Sequence, residues 1–221
     1  MKILLITQVF HPDTVSVSQH LTDLANKLVE EGHEVTVYSS CYPYEEKTHR
    51  YRVFENFRGI QIKRLWQTPF GKDSNFARIL DFITFYLSIS IKLFFVKRKK
   101  FDVIIGTSVP PLLSFVGVIV SKLKGIKFYY WVMDLQPELS ISSVLIKKDS
   151  FLSKVFTYLG NYIICNSTRL ISLDSFMTDY LYSRGANENL VKTIAVWPVM
   201  DVRYEGERML NPFRVENSFK H

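Results

Sequence analysis

The sequence predicts an α/β fold class: a doubly wound parallel sheet in a single domain. Three observations predict it. Short apolar runs recur along the chain, the pattern of strands buried on both faces. Between them lie stretches with apolar residues at three-and-four spacing, the stripe of helices packed on a sheet. Glycines close several of those stretches, where a helix must stop. At 221 residues, 47% hydrophobic and 22% charged, the chain is long enough to bury one large core.

The elements follow in order. "KILLI" (2 to 6) is a central strand, and a polar loop containing Pro12 follows it. Val17, Leu21, Leu24, Ala25, Leu28 and Val29 then form a helical stripe that Gly32 ends. "EVTVYS" (34 to 39) is the second strand, so the chain opens with a βαβ unit. Residues 41 to 59 read as an irregular basic and aromatic loop, and "IQIKRL" (60 to 65) alternates as a strand. A long apolar helix begins near Asn75. "FDVIIGT" (101 to 107) is a strand, and prolines open and Gly125 closes the helix "PPLLSFVGVIVSKLKG". "IKFYYWV" (126 to 132) is a strand, followed by a helix over 150 to 165, the strand "RLISLD" (169 to 174), a helix ending at Gly185 and a last strand "VKTIAVW" (191 to 197). Strands and helices in this rhythm make a Rossmann-like domain.

Several function classes are excluded. The turn after the first strand, "TQVFHPDTVSVS", has no glycine, so it lacks the GxGxxG that lets backbone approach a dinucleotide. Neither GxxxxGK[ST] nor GxSxG occurs. Cys41 and Cys165 are far apart without CxxC spacing, and the histidines form no cluster, so no disulfide framework or metal site is expected. The apolar run at the amino terminus is too short for a signal-peptide core and has no small-residue cleavage site after it. The expected location is cytoplasmic. A net charge of +7 points to an anionic partner, while zinc-finger spacing, RNP-like aromatics and heptad-linked basic regions are all missing, so nucleic acid is not expected.

Ligands of such sheets sit at the carboxyl ends of the strands. "MDLQPEL" follows "IKFYYWV" directly, which makes the aromatics core and puts Asp134 and Glu138 on the rim of a site. The alternative is that Asp134 caps the following turn and Glu138 is solvated. His11 and Asp13 lie in the first crevice loop, where His11 is equally a ligand contact or a plain loop histidine.

Four segments, in order, resemble the N-terminal, acceptor-side domain of family four glycosyltransferases, whose GT-B architecture joins two Rossmann-like domains. They are "MKILLITQVFHPD", "HLTDLANKLVEEGHEVTVYSS", "TSVPPLLSFVGVIVSKLKGIKFYYWVMDLQPEL" and "LISLDSFMTDYLYSRGANENLVKTIAVWPVMD". The flavour is that of bacterial enzymes that build surface polysaccharide on a lipid-linked carrier. The resemblance implies retaining transfer of a hexose from a nucleotide sugar, a substrate rather than a cofactor, to a lipid-linked saccharide acceptor. It gives Asp134 and Glu138 catalytic roles and His11 and Asp13 acceptor contacts.

Three departures stand out. Where the family often has Gly-Gly in the first loop, this chain has "TVSVS", so Thr14, Ser16 and Ser18 would supply hydroxyls instead; Met133 stands at the family's His; and the linker motif reads "PVMD" without Asn. Residues 1–200 are then the transferase domain and 201–221 a linker toward a C-terminal donor domain. No matching glutamate pair occurs, so a truncated or split enzyme, nearly inactive alone, is expected. The competing readings are a non-catalytic, membrane-associated binding module and, behind it, a Rossmann-type sugar-nucleotide epimerase or dehydrogenase.

The segment "NFARILDFITFYLSISIKLFFVKRKKFD" carries a further expectation. Its uncharged run is too short to span a bilayer. An apolar helix edged by Lys97, Arg98, Lys99 and Lys100, with Phe82 and Phe85 facing outward, suits a peripheral anchor on an anionic membrane surface, the inner face of the plasma membrane. The equal alternative is a buried helix with a solvated basic end.

Overall fold

The computed structural model describes residues 1–45, 49–71, 74–136, 138–142 and 147–199, together with Glu216. The linker expected over 201–221, half of the "PVMD" motif and Pro137 therefore lie outside the described residues. Within them the strands are β1 (Lys2–Ile6), β2 (Glu34–Ser40), β3 (Phe54–Phe57), β4 (Ile60–Leu65), β5 (Val103–Thr107), β6 (Lys127–Trp131), β7 (Arg169–Ser172) and β8 (Val191–Thr193). They form one sheet in the order β3-β4-β2-β1-β5-β6-β7-β8. Every pairing is parallel except β3 with β4.

The helices are α1 (Ser16–Glu30), α2 (Asn75–Phe94), α3 (Leu113–Lys124), α4 (Glu138–Ser142), α5 (Phe151–Asn166) and α6 (Ser175–Ser183). Side chains along β1 alternate between two cores. Leu4 and Ile6 pack with Phe85, Ile89, Leu93, Val118, Phe128 and Ile163 on the face of α2, α3 and α5. Ile3 and Leu5 pack with Leu21, Ala25, Val37 and Trp131 on the face of α1. Burial on both faces is why "KILLI" is apolar without a break.

The edge hairpin is a correction to the loop expected over residues 41 to 59. Phe54–Phe57 pairs with β4, with Phe57 opposite Ile60. Arg58 and Gly59 both take positive φ, 50° and 86°, the backbone of a two-residue primed turn that matches strand twist. The Asn56 side chain accepts from the Gly59 amide at 3.1 Å and holds the turn.

Two features position the carboxyl edge of the sheet. From β1 the chain winds outward through β2 to β4, then returns to β5 on the other side of β1. The loops after β1 and β5 thus diverge at a topological switch point. In α2, Asp81 is buried and accepts from the Thr68 hydroxyl (2.7 Å) and the amides of Phe70 (3.1 Å) and Gly71 (3.0 Å), fixing the loop after β4. On the helix face, Gly117 of α3 lets that helix lie close to the sheet: a Cβ there would stand 2.3 Å from the Phe128 ring and 2.9 Å from Ile6 Cδ1.

Candidate functional site

Asp134 stands three residues past the end of β6 and sits partly buried on the carboxyl edge. Its backbone is held from the neighbouring strand: buried Ser108, just past β5, accepts at Oγ from the amides of Asp134 (2.8 Å) and Met133 (3.1 Å). The carboxylate itself takes no hydrogen bond among the described residues. Burial raises its pKa above the ordinary carboxylate value. It lines a pocket with Leu112, Tyr130, Leu135, Gln136 and Tyr180. Burial, and then the charge of Asp134, pushes the Tyr130 phenol well up, so that hydroxyl stays a donor. A free, partly desolvated carboxylate beside neutral phenols can accept a hydroxyl hydrogen bond or face a developing positive charge.

Glu138, the first residue of α4, is engaged elsewhere. Its carboxylate pairs with Arg184 at 3.1 Å. Arg184 also donates to Asn161 Oδ1 (2.6 Å), to the Thr157 carbonyl (3.2 Å) and to the Tyr180 hydroxyl. The pair ties α4 to α5 and α6. The sequence shows no local sign of it, because the partners are 46 residues apart.

The loop after β1 forms a second site. His11 stacks on Phe57 of the edge hairpin, with centroids 3.9 Å apart and planes 19° apart. Its carbonyl accepts from Arg64, whose buried guanidinium also donates to Ser39 Oγ at 3.0 Å and meets Glu55 at 3.5 Å. Burial, with Arg64 and Arg58 close by, lowers the His11 pKa against the opposing pull of Glu55, so the ring stays neutral. Asp13 Oδ1 accepts from the Tyr44 amide (2.9 Å) and the Tyr51 hydroxyl (3.3 Å). The Tyr51 phenol is pushed up to about 12 by burial and by Asp13. His11, Asp13 and exposed Thr14 line an open groove with Gln19, Thr22 and Arg58.

That groove and the Asp134 pocket have no lining residue in common. Of the expected residues, His11, Asp13 and Thr14 thus line one site and Asp134 another, while Glu138 lines neither. The hydroxyl series of "TVSVS" also divides. Helix α1 already begins at Ser16, which turns Ser18 inward, fully buried; it presents no hydroxyl to the groove. Thr14 and Ser16 remain exposed.

Sequence reasoning missed Ser108 and a clasp formed by the segment after β8. Trp197 stacks on Trp131 (5.8 Å), donates from its indole to Asp23 (2.5 Å), and offers its carbonyl to His20 Nε2 (3.0 Å). Partners so far apart in the chain leave no periodic signal. Among the described residues no group of three His, Cys, Asp or Glu is placed to hold a metal ion, and no helix is long and apolar enough to cross a membrane.

Residues 17–197 match the family model described as "Glycosyl transferase 4-like domain". Among solved structures, sucrose-phosphate synthase from Thermosynechococcus elongatus aligns at 12% identity and TM-score 0.59, over 88% of this chain and 48% of that one. The catalytic domain of starch synthase IV from Arabidopsis thaliana, bound to ADP and acarbose, aligns at 10% identity and TM-score 0.54, over 88% and 51%. HepE from Anabaena in complex with UDP-glucose aligns at 13% identity and TM-score 0.51, over 88% and 43%. At these identities the likeness is one of fold, and the chain spans about half the length of each structure. No curated protein sequence matches.

Proposed function

Because the chain belongs to the glycosyl transferase 4-like domain family, we propose that it is the acceptor-side half of a GT-B glycosyltransferase. It takes a sugar from a nucleotide-sugar donor, held by a second Rossmann-like domain, and passes it with retention to a lipid-linked saccharide in polysaccharide synthesis. The observation that carries this reading is Asp134: a carboxylate without a hydrogen-bond partner among the described residues, raised by burial, at the carboxyl edge of the parallel sheet. The span of about half of each aligned enzyme supports a donor-binding counterpart of similar size.

In this reading the groove of His11, Asp13 and Thr14 receives acceptor hydroxyls. The His11 ring and the Asp13 side chain offer complementary donor and acceptor positions for a sugar. Asp134 orients the attacking hydroxyl or stabilises positive charge at the reacting carbon, a contribution that exists chiefly in the transition state. The leaving phosphate belongs to the donor half, so each half alone is nearly inactive. Glu138 stays with Arg184 and acts on the fold.

The test is transfer of labelled sugar from a panel of nucleotide sugars to lipid-linked saccharides, with this chain and its donor-binding counterpart present together. Product that depends on both supports the reading. A second reading, a non-catalytic acceptor-binding module, is favoured by Met133 at the position of the family's His. It predicts saccharide binding without transfer under the same conditions.

A further inference from the structure

Helix α2 is apolar on two opposite faces, and the fold covers only one of them. Phe85, Ile89 and Leu93 are fully buried against the sheet. On the other side Phe76, Ile79, Ile83, Leu87, Ile91 and Phe94 are between 46% and 71% exposed. Their spacing of three and four residues places them in one stripe. Over 20 residues the helix is about 30 Å long, and the stripe from Phe76 to Phe94 extends over nearly all of it. The sequence expectation named Phe82 and Phe85 as the outward residues, and the structure corrects it: Phe85 is in the core, and Phe82 is half-buried with the Arg78 guanidinium 5.5 Å above its ring. A helix apolar all round shows the sequence no difference between its two faces. Packing on β4 and α3 makes the choice.

The end of the stripe is strongly basic. Lys97, Arg98, Lys99 and Lys100 are all exposed, and among the described residues none of them forms an ion pair. Lys124 reaches over the Phe94 ring at 5.3 Å, so cation and apolar surface are contiguous. Lys63 is pushed down by its burial and then by Lys100 and Lys92, a sign of positive charges crowded at this edge. Asp102, the nearest acid in sequence, is engaged by the Lys2 amide at 2.7 Å.

We propose that the outer face of α2 is a docking surface for an anionic lipid bilayer, lying in the plane of the interface with its apolar stripe among the acyl chains and the basic cluster among the headgroups. The unneutralised basic cluster selects this occupant: a polyanionic surface next to an apolar layer matches it in both chemistry and extent. Because α2 starts from the loop after β4, its amino end stands at the carboxyl edge of the sheet, and docking brings that edge to the membrane surface. The surface is independent of the assignment of Asp134, so either can fail alone.

The experiment is flotation of the full chain with vesicles of phosphatidylcholine and phosphatidylglycerol mixed two to one, and with phosphatidylcholine alone. The chain floats with the mixed vesicles and far less with the neutral ones. Replacing Lys97, Arg98, Lys99 and Lys100 by Gln lowers the partition coefficient by about tenfold or more. The pair Leu87→Asp and Ile91→Asp abolishes flotation, with unchanged circular dichroism. A Leu87→Trp variant supplies a readout without loss of an apolar side chain: its emission shifts to the blue on addition of mixed vesicles. Absence of flotation, flotation of the Asp pair at wild-type level, or an unshifted Trp emission overturns the proposal. A dimer that forms with rising concentration and is lost in the Asp pair, without flotation, gives the face to a second copy and overturns it equally.

Discussion

At Asp134, burial works against the charged form of the side chain. Burial raises its carboxyl above the ordinary 3.8, so from that pH up to the raised value the folded chain binds more protons than the unfolded chain. Stability therefore falls as pH rises through this window and stays lower above it. Asp134→Asn removes the penalty. Thermal melts across a pH series will show the variant melting above wild type at neutral pH, with the gain vanishing below pH 3.8. A constant difference at every pH would contradict the assigned desolvation. The place of Asp134 on the carboxyl edge was legible because it follows an aromatic strand run, a purely local pattern. Glu138 stood next to it with the same chemistry, yet its partner Arg184 comes from the far end of α6, and no local pattern reports such a pair. Ser18 was misplaced for a related reason: only packing decides which side of α1 is covered, and its hydroxyl lies on the covered side rather than in the groove.

Elements meet here through close approaches that leave a sharp mutational signature. The Phe128 ring lies between Gly106 and Gly117, and a methyl at Gly117 would stand 2.3 Å from it, with Ile6 behind. Both neighbours are buried and cannot yield cheaply. Gly117→Ala costs about 1–3 kcal/mol in urea unfolding. Gly160 in α5 is the contrasting case, since its added Cβ meets the Gln136 carbonyl at 3.5 Å and the Arg184 guanidinium at 3.9 Å, both ordinary contacts. Gly160→Ala gains about 0.5–1 kcal/mol through the helix backbone alone. Equal effects at the two sites would refute this account of the packing. Helices and central strands were readable because their periodicity is set by burial against one sheet. The edge strand β3 escaped notice because an edge is half solvated and its four residues carry no sustained apolar pattern; Gly59 was its only local mark.

For the whole molecule, the order of apolar runs and amphipathic stretches was enough to give the parallel sheet, since right-handed crossovers leave few ways to wind it. The sequence could not show how the carboxyl edge divides into two sites, because that division depends on which loops lean on α1 and which on α5 and α6. The central claim is that this edge faces an acceptor with Asp134 at the reacting centre. The most direct measurement is kcat/KM for sugar transfer, in the presence of the donor-binding counterpart, for wild type, Asp134→Asn and Glu138→Gln. The account predicts a loss of roughly a hundredfold or more at Asp134, mostly in kcat, and little change at Glu138. Full activity of Asp134→Asn would contradict it.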